Sequence, residues 1–308
     1  MIEPNIILTA KKYGPLILEE TPNILSVKGV FRHGIIAIGN NERQLIYITN
    51  KDHPGPFTIY VPGFQTLINQ INTQLTLTIE DQLINIPDLK VVINLKMAIP
   101  FPRFTKVQPN DLKHIHVSLL SVKNSLLELK NFNSDFLTSY LSLFPLKSIE
   151  KPHYQAEEHV RSVIKDFYKF LIYRNETGLQ STICQCIGLG NGLTPAGDDF
   201  LAGWLLTNFL YQGGDNLMPF HESISKFIIE IAPLRTHLLS SGLIWAASRG
   251  ESDPILRQVV NNIMQGKHVT SNELHDLTAI GHTSGFDGLS GSLIYLESLL
   301  PSQMSYSS

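Results

Sequence analysis

From about residue 25 to residue 95, apolar positions alternate with polar ones or come in short β-branched bursts: Ile24 to Val30, Gly34 to Ile38, Gln44 to Thr49, Phe57 to Val61, Leu75 to Ile79 and Val91 to Leu95. Turn signals such as Gly39-Asn40-Asn41 and His53-Pro54-Gly55-Pro56 separate the runs. This texture predicts a small antiparallel sheet or barrel. After Pro100-Phe101-Pro102-Arg103 the period changes to that of a helix. Val160, Val163, Ile164, Phe167, Phe170 and Leu171 are spaced as one buried helix face requires. Helices are predicted from near Asn110 through Phe144, over 156–173, and near 178–187, 195–211, 219–231, 234–249, 254–265, 271–280 and 285–299. The expected fold is α+β: an N-terminal antiparallel β domain over residues 1–105, then a larger all-helical domain over 106–308, with a polar, frayed tail from Pro301.

Composition narrows the function. The 308 residues are 43% hydrophobic, enough for a sizeable core without disulfide or metal staples. A formal charge of −3, a pI near 6.4 and the lack of a Lys/Arg cluster among aromatics argue against a nucleic-acid partner. The longest apolar runs, such as Phe200 to Leu206, fall far short of the roughly 18 residues of a membrane span. Met1 to Leu8 lacks the pattern of a secretion signal, so a cytoplasmic location away from membranes is expected. Cys184 and Cys186, one residue apart, read as buried free thiols, and His114 and His116 lack companion metal ligands.

The chemistry concentrates in a duplicated phrase. Gly192-Leu193-Thr194-Pro195-Ala196-Gly197-Asp198-Asp199-Phe200-Leu201-Ala202-Gly203 aligns, with one gap, to Gly281-His282-Thr283-Ser284-Gly285-Phe286-Asp287-Gly288-Leu289-Ser290-Gly291. Thr194 pairs with Thr283, Asp199 with Asp287, and Gly203 with Gly291. Two similar helix starts facing one shared pocket are expected. The alternating Gly188, Gly190 and Gly192 free the backbone, and Thr194-Pro195 suits an N-cap and first helical position. Such a loop feeding a helix N-terminus binds phosphate or carboxylate through unpaired N–H groups. It is not a P-loop, because no Lys stands in the phrase.

The acids open three roles: accepting from the N–H groups of an amide or carbamoyl ligand, holding a hard cation such as magnesium, or capping the helix. Asp198 is assigned mainly to the cap, while Asp199 and Asp287 are the candidate catalytic acids with His282, which could donate to phosphate or shuttle a proton. Gly190, Gly192, Thr194, Gly197, Asp198, Thr283, Ser284 and Gly285 are the candidate ligand contacts. Arg235, Thr236 and Ser240 join them, with the two hydroxyls four residues apart on one face of the predicted 234–249 helix. No nucleophile elbow and no complete metal cluster are visible, and no cofactor is required. Gly203 and Gly291, each costing about 1 kcal/mol inside a helix, point to close packing of the two equivalent helices.

Gly188 through Gly203 and Ile280 through Asp287 resemble the signature of the AllH family, as does the order of a β-rich half, a helical half and the Thr236 to Glu251 segment between the phrases. That resemblance implies a subunit of oxamate carbamoyltransferase acting in allantoin catabolism with FdrA-like and AllG-like partner subunits. The implied reaction interconverts oxalurate plus phosphate with oxamate plus carbamoyl phosphate. Two other readings stay open: a non-catalytic anion-binding or scaffold subunit, and a metal-dependent amide or ureido hydrolase.

Overall fold

The computed structural model describes residues 5–17, 24–40, 43–102, 107–129, 133–144, 157–212, 218–281 and 283–300. The tail from Pro301 lies outside them. The chain is α+β and divides into two compact units, Met1–Thr105 and Lys106–Ser308.

The first unit is built on strands β1 (Ile6–Thr9), β2 (Lys12–Tyr13), β3 (Ile24–Phe31), β4 (Gly34–Ile38), β5 (Leu45–Thr49), β6 (Thr58–Tyr60), β7 (Thr76–Glu80), β8 (Leu83–Ile86), β9 (Val91–Asn94) and β10 (Ile99–Pro100), with the short helix α1 (Gln65–Ile68) after β6. Their order in the sheet is β1-β9-β8-β7-β3-β4-β5-β6-β2-β10. β1 and β2 are two parts of one segment, separated by Ala10 and Lys11. The Ala10 N–H donates to the Asn94 carbonyl and the Lys11 N–H to the Tyr60 carbonyl. That segment therefore bridges the β9 end to the β6 end and closes the sheet on itself. Most ladders are antiparallel as expected, but β1–β9, β5–β6 and β2–β10 run parallel. Side chains of period two fill the interior: Leu25 and Val27, Ile84 and Ile86, Val91 and Ile93 are all buried.

The second unit comprises α2 (Leu112–Glu128), α3 (Asp135–Leu143), α4 (Glu158–Ile172), α5 (Glu176–Cys186), α6 (Ala196–Gln212), α7 (Pro219–Arg235), α8 (Leu238–Ser248), α9 (Pro254–Met264), α10 (Ser271–Asp276) and α11 (Ser284–Leu299). α4 turns Val160, Val163, Ile164, Phe167 and Leu171 inward, whereas Phe170 stays half-buried against Gly178. The predicted 234–249 helix is divided. The chain turns at Thr236 and His237, both extended, so Thr236 ends α7 and Ser240 lies in the first turn of α8. Pro233 removes one donor from the last turn of α7, which favours a stop there.

α6 and α11 pack against each other more extensively than any other pair and form the centre of the unit. α11 is buried continuously from Gly285 to Glu297. A Cβ on Gly203 would lie 1.8 Å from the Gly288 carbonyl oxygen, and one on Gly291 would lie 1.9 Å from that of Phe200. The contact is reciprocal, since Gly203 corresponds to Gly291 and Phe200 to Gly288. The helices touch backbone to backbone, and Ser292 adds a hydroxyl bond to the Gly203 carbonyl at 3.0 Å. α3 is tied to α11 at two points. Ser134, its N-cap, donates to Asp287, and Tyr140 donates to Glu297, which also pairs with the buried Lys123 of α2 at 2.7 Å.

Gly203→Ala should lower the unfolding free energy by roughly 3 kcal/mol or more, because a methyl there must displace backbone rather than a flexible side chain. Urea denaturation against Gly192→Ala supplies the comparison. Gly192 meets nothing within 4 Å, so its cost is limited to about 1–2 kcal/mol of left-handed strain. Equal shifts in the two variants would contradict the close crossing.

Candidate functional site

The glycine loop is built by backbone chemistry. Gly188, Gly190 and Gly192 have φ of +77°, +116° and +109°, a region closed to most side chains. A Cβ on Gly190 would also sit 2.8 Å from the Ala196 nitrogen. The loop is pinned where Leu189 donates to the Cys186 carbonyl and Gly197 donates to that of Leu189. Among the described residues, the N–H groups of Gly190, Asn191, Gly192, Leu193, Thr194 and Ala196 have no acceptor in the protein. They leave a run of unpaired donors at the start of α6.

Gly197 and Gly285 occupy equivalent places. A Cβ on Gly197 would meet the Cys186 carbonyl oxygen at 2.0 Å, and one on Gly285 that of Leu277 at 2.3 Å. Each glycine lets its helix start directly on the end of the preceding one. The two starts meet where the Thr194 and Ser284 hydroxyls lie 3.2 Å apart.

Three acids stand here, each facing two hydroxyls. Asp199 faces Ser284 and Thr194. Asp287 accepts from Ser134 at 2.6 Å and faces Thr283. Asp198 accepts from Thr236, from Ser240 at 2.7 Å and from the Gly188 N–H at 2.9 Å. Thr194 and Thr283 therefore turn toward the acids of their own helices. Thr283 makes no side-chain cap bond, and no described backbone N–H reaches the Thr194 hydroxyl. The expected capping role of Asp198 is likewise corrected: its lone pairs go to the loop and to the α7–α8 junction, 1% of the residue being exposed. Thr236 and Ser240 converge on that carboxylate from two different elements and do not share one helix face.

Burial, followed by repulsion from Asp287 and Asp198, pushes the Asp199 carboxyl well above the usual carboxylate range against the pull of the nearby hydroxyls. Burial likewise raises Asp287, to about 6, against the hydroxyls of Ser134 and Thr283 and with a contribution from Asp135. The Oδ2 atoms of both acids are enclosed and have no hydrogen-bond partner. Among the described residues, no group of three His, Cys, Asp or Glu is placed to hold a metal ion. Magnesium would find two carboxylates and hydroxyls, and would need substrate oxygens or water to complete its shell.

The remaining expected residues are placed differently. Arg235 is exposed, with its guanidinium 3.5 Å from the Cys184 carbonyl. His282 lies outside the described residues. Ser134 went unnoticed in the sequence, although Asn133-Ser134-Asp135-Phe136 is a helix-start pattern. Its distance along the chain from Asp287 gave no reason to join the two.

The segment carrying both starts is the part of the chain that resembles a known family. Residues 186–296 match the family of oxamate carbamoyltransferase subunit AllH. The AllH match covers both glycine phrases and the α7–α8 junction, and leaves the sheet unit outside it. No curated protein and no solved structure matches the chain. No helix among the described residues is long and apolar enough to cross a membrane.

A carboxyl that titrates near 6 when folded and near 3.8 when unfolded binds more protons in the folded chain between those values. Its contribution to stability is present below about pH 4 and is lost as pH rises through about 6. Asp287→Asn, neutral throughout, should therefore be more stable than the native chain at pH 8, by on the order of 3 kcal/mol. The gain should shrink toward zero near pH 4. Urea unfolding at the two pH values tests this, and a pH-independent difference would refute the burial-driven shift.

Proposed function

We propose that the chain is a subunit of a carbamoyltransferase of allantoin catabolism, interconverting oxalurate plus phosphate with oxamate plus carbamoyl phosphate. The observation that carries the reading is one juxtaposition. Enclosed, unpartnered carboxylate oxygens of Asp199 and Asp287 lie at the helix starts whose glycine loop offers free N–H donors. The substrates need that mixture, since phosphate and oxamate carboxylate take N–H donors while a carbamoyl NH2 needs an acceptor. The AllH match over this segment supports the same class of reaction.

In the phosphorolytic direction, phosphate held by the loop attacks the carbamoyl carbon of oxalurate. The new C–O bond forms, the C–N bond breaks, and the departing nitrogen takes a proton to become the oxamate amide. On this reading Asp199, whose carboxyl burial holds toward the protonated form, supplies that proton. In the reverse direction it takes the proton back. Asp287 orients the carbamoyl NH2 by accepting from it. Positioning and electrostatics suffice, and no covalent intermediate on the protein is needed. FdrA-like and AllG-like subunits complete the enzyme on this reading. A metal-dependent hydrolase has no trio of ligands among the described residues to support it.

Asp199→Asn or Asp287→Asn should lower carbamoyl transfer in the complex reconstituted with the partner subunits by roughly a hundredfold or more, as loss of a positioned transition-state contact does. Assembly, followed by size-exclusion chromatography, should be unchanged. Full activity in both variants would move the chemistry to a partner and leave this subunit a scaffold.

A further inference from the structure

Asp198 and Asp199 are neighbours with opposite circumstances. Successive helical residues point about 100° apart, and here that rotation separates a satisfied acid from an unsatisfied one. Asp199 keeps an enclosed Oδ2 without a partner. Asp198 is 1% exposed and accepts from three protein donors: the Gly188 N–H on Oδ1, and the Thr236 and Ser240 hydroxyls on Oδ2. It has no free face for a ligand. Its donors come from the first glycine of the loop and from both sides of the α7–α8 junction.

The loop needs such a fastening. Three left-handed glycines within five positions impose little conformation of their own. The backbone ties of Leu189 and Gly197 hold the loop to α5 and α6, while its free N–H groups begin at Gly190. The junction also crowds the loop's entry, since a Cβ on Gly188 would lie 3.1 Å from the Arg235 carbonyl oxygen.

We propose that Asp198 is a positioning residue for anion binding: held by Thr236 and Ser240, its carboxylate sets the entry of the glycine loop so that the loop's free N–H groups converge on a phosphate. The inference rests on the functional reading above and adds to it a residue that never touches substrate. Its effect falls on phosphate affinity, whereas Asp199 and Asp287 act on the transfer step.

The test uses the full-length chain assembled with its partner subunits and inorganic phosphate as the probe, in isothermal titration and in steady-state kinetics. Thr236→Val keeps the branched shape and removes the hydroxyl. It should weaken phosphate binding about tenfold, the expected effect of losing a hydrogen bond to a charged group. KM for phosphate should rise by a similar factor, with a much smaller change in kcat. Thr236→Ser, which restores the hydroxyl, should bring the affinity back. Asp198→Asn should weaken binding at least as much as Thr236→Val, and if it fails to fold the two Thr236 variants decide. Native-like phosphate affinity in Thr236→Val, or equal weakening in Thr236→Ser, would overturn the positioning role while leaving the transferase reading intact. Absence of phosphate binding by the native complex would remove both.

Discussion

The close crossing of α6 and α11 is the constraint from which the rest of the helical unit follows. Ordinary helices stay apart by the thickness of their side chains, at 8–10 Å between axes. Here Gly203 faces the Gly288 carbonyl and Gly291 faces that of Phe200, with no room for a methyl at either contact. Glycine costs about 1 kcal/mol at each such helical position relative to alanine. The return is an approach close enough to bring Thr194 to Ser284 and the two starts into one site. Phe200, fixed by this crossing, packs with Phe136 and Phe167 at centroid distances of 5.3 and 5.1 Å. The same contact thus organises both the site and the core beneath it.

Placing two buried acids, Asp198 and Asp287, beside the half-buried Asp199 is unfavourable unless something answers their charge. The answer comes from hydroxyls and helix starts. Ser134 opens α3, Thr194 precedes α6, Ser240 lies in the first turn of α8 and Ser284 begins α11. Four partly positive helix ends face the cluster, each partially offsetting the negative charge. The offset is uneven. Asp198 receives three donors, whereas Asp199 and Asp287 each retain an orphaned oxygen and a raised pKa. An unsatisfied buried acceptor lowers the stability of the isolated fold and becomes favourable once a ligand donor reaches it.

Much of this was legible in the amino-acid pattern because it depends on local rules. The duplicated glycine phrase carries its own register, so the equivalence of Gly203 with Gly291 and their close packing could be read directly. The α4 face and the strands around Leu25, Ile35, Ile46 and Leu77 follow from period alone. Contacts joining distant parts of the chain were not legible. Ser134 reaches Asp287 across a long separation that no periodicity marks. The break at Thr236 was concealed because Leu234 through Leu239 keep an apolar texture on both sides of it. Asp198 looked like a cap because acids favour first turns, and only the folded chain shows the Gly188 N–H reaching its carboxylate. The ring closure of the sheet depends on a strand divided between two neighbours, which is a pairing property and not a pattern of side chains.

The duplication is not a mirror, and its asymmetry fits a reaction with unlike substrates. The first start carries Gly188, Gly190 and Gly192 in left-handed conformations and a run of free N–H groups, whereas the second carries a single left-handed glycine, Gly281. The first half is accordingly rich in donors and suited to a polyanion. The second has an enclosed acid oxygen of its own on Asp287, as the first has on Asp199, but lacks the run of left-handed glycines. A symmetric pair of anion sites would hold two phosphates equally well. Phosphoryl and carbamoyl groups differ in that the first only accepts hydrogen bonds while the second both donates and accepts. On the proposed reading, each start keeps an unsatisfied acid, Asp199 or Asp287, and the lengthened glycine loop on the first start alone is what assigns phosphate to that side.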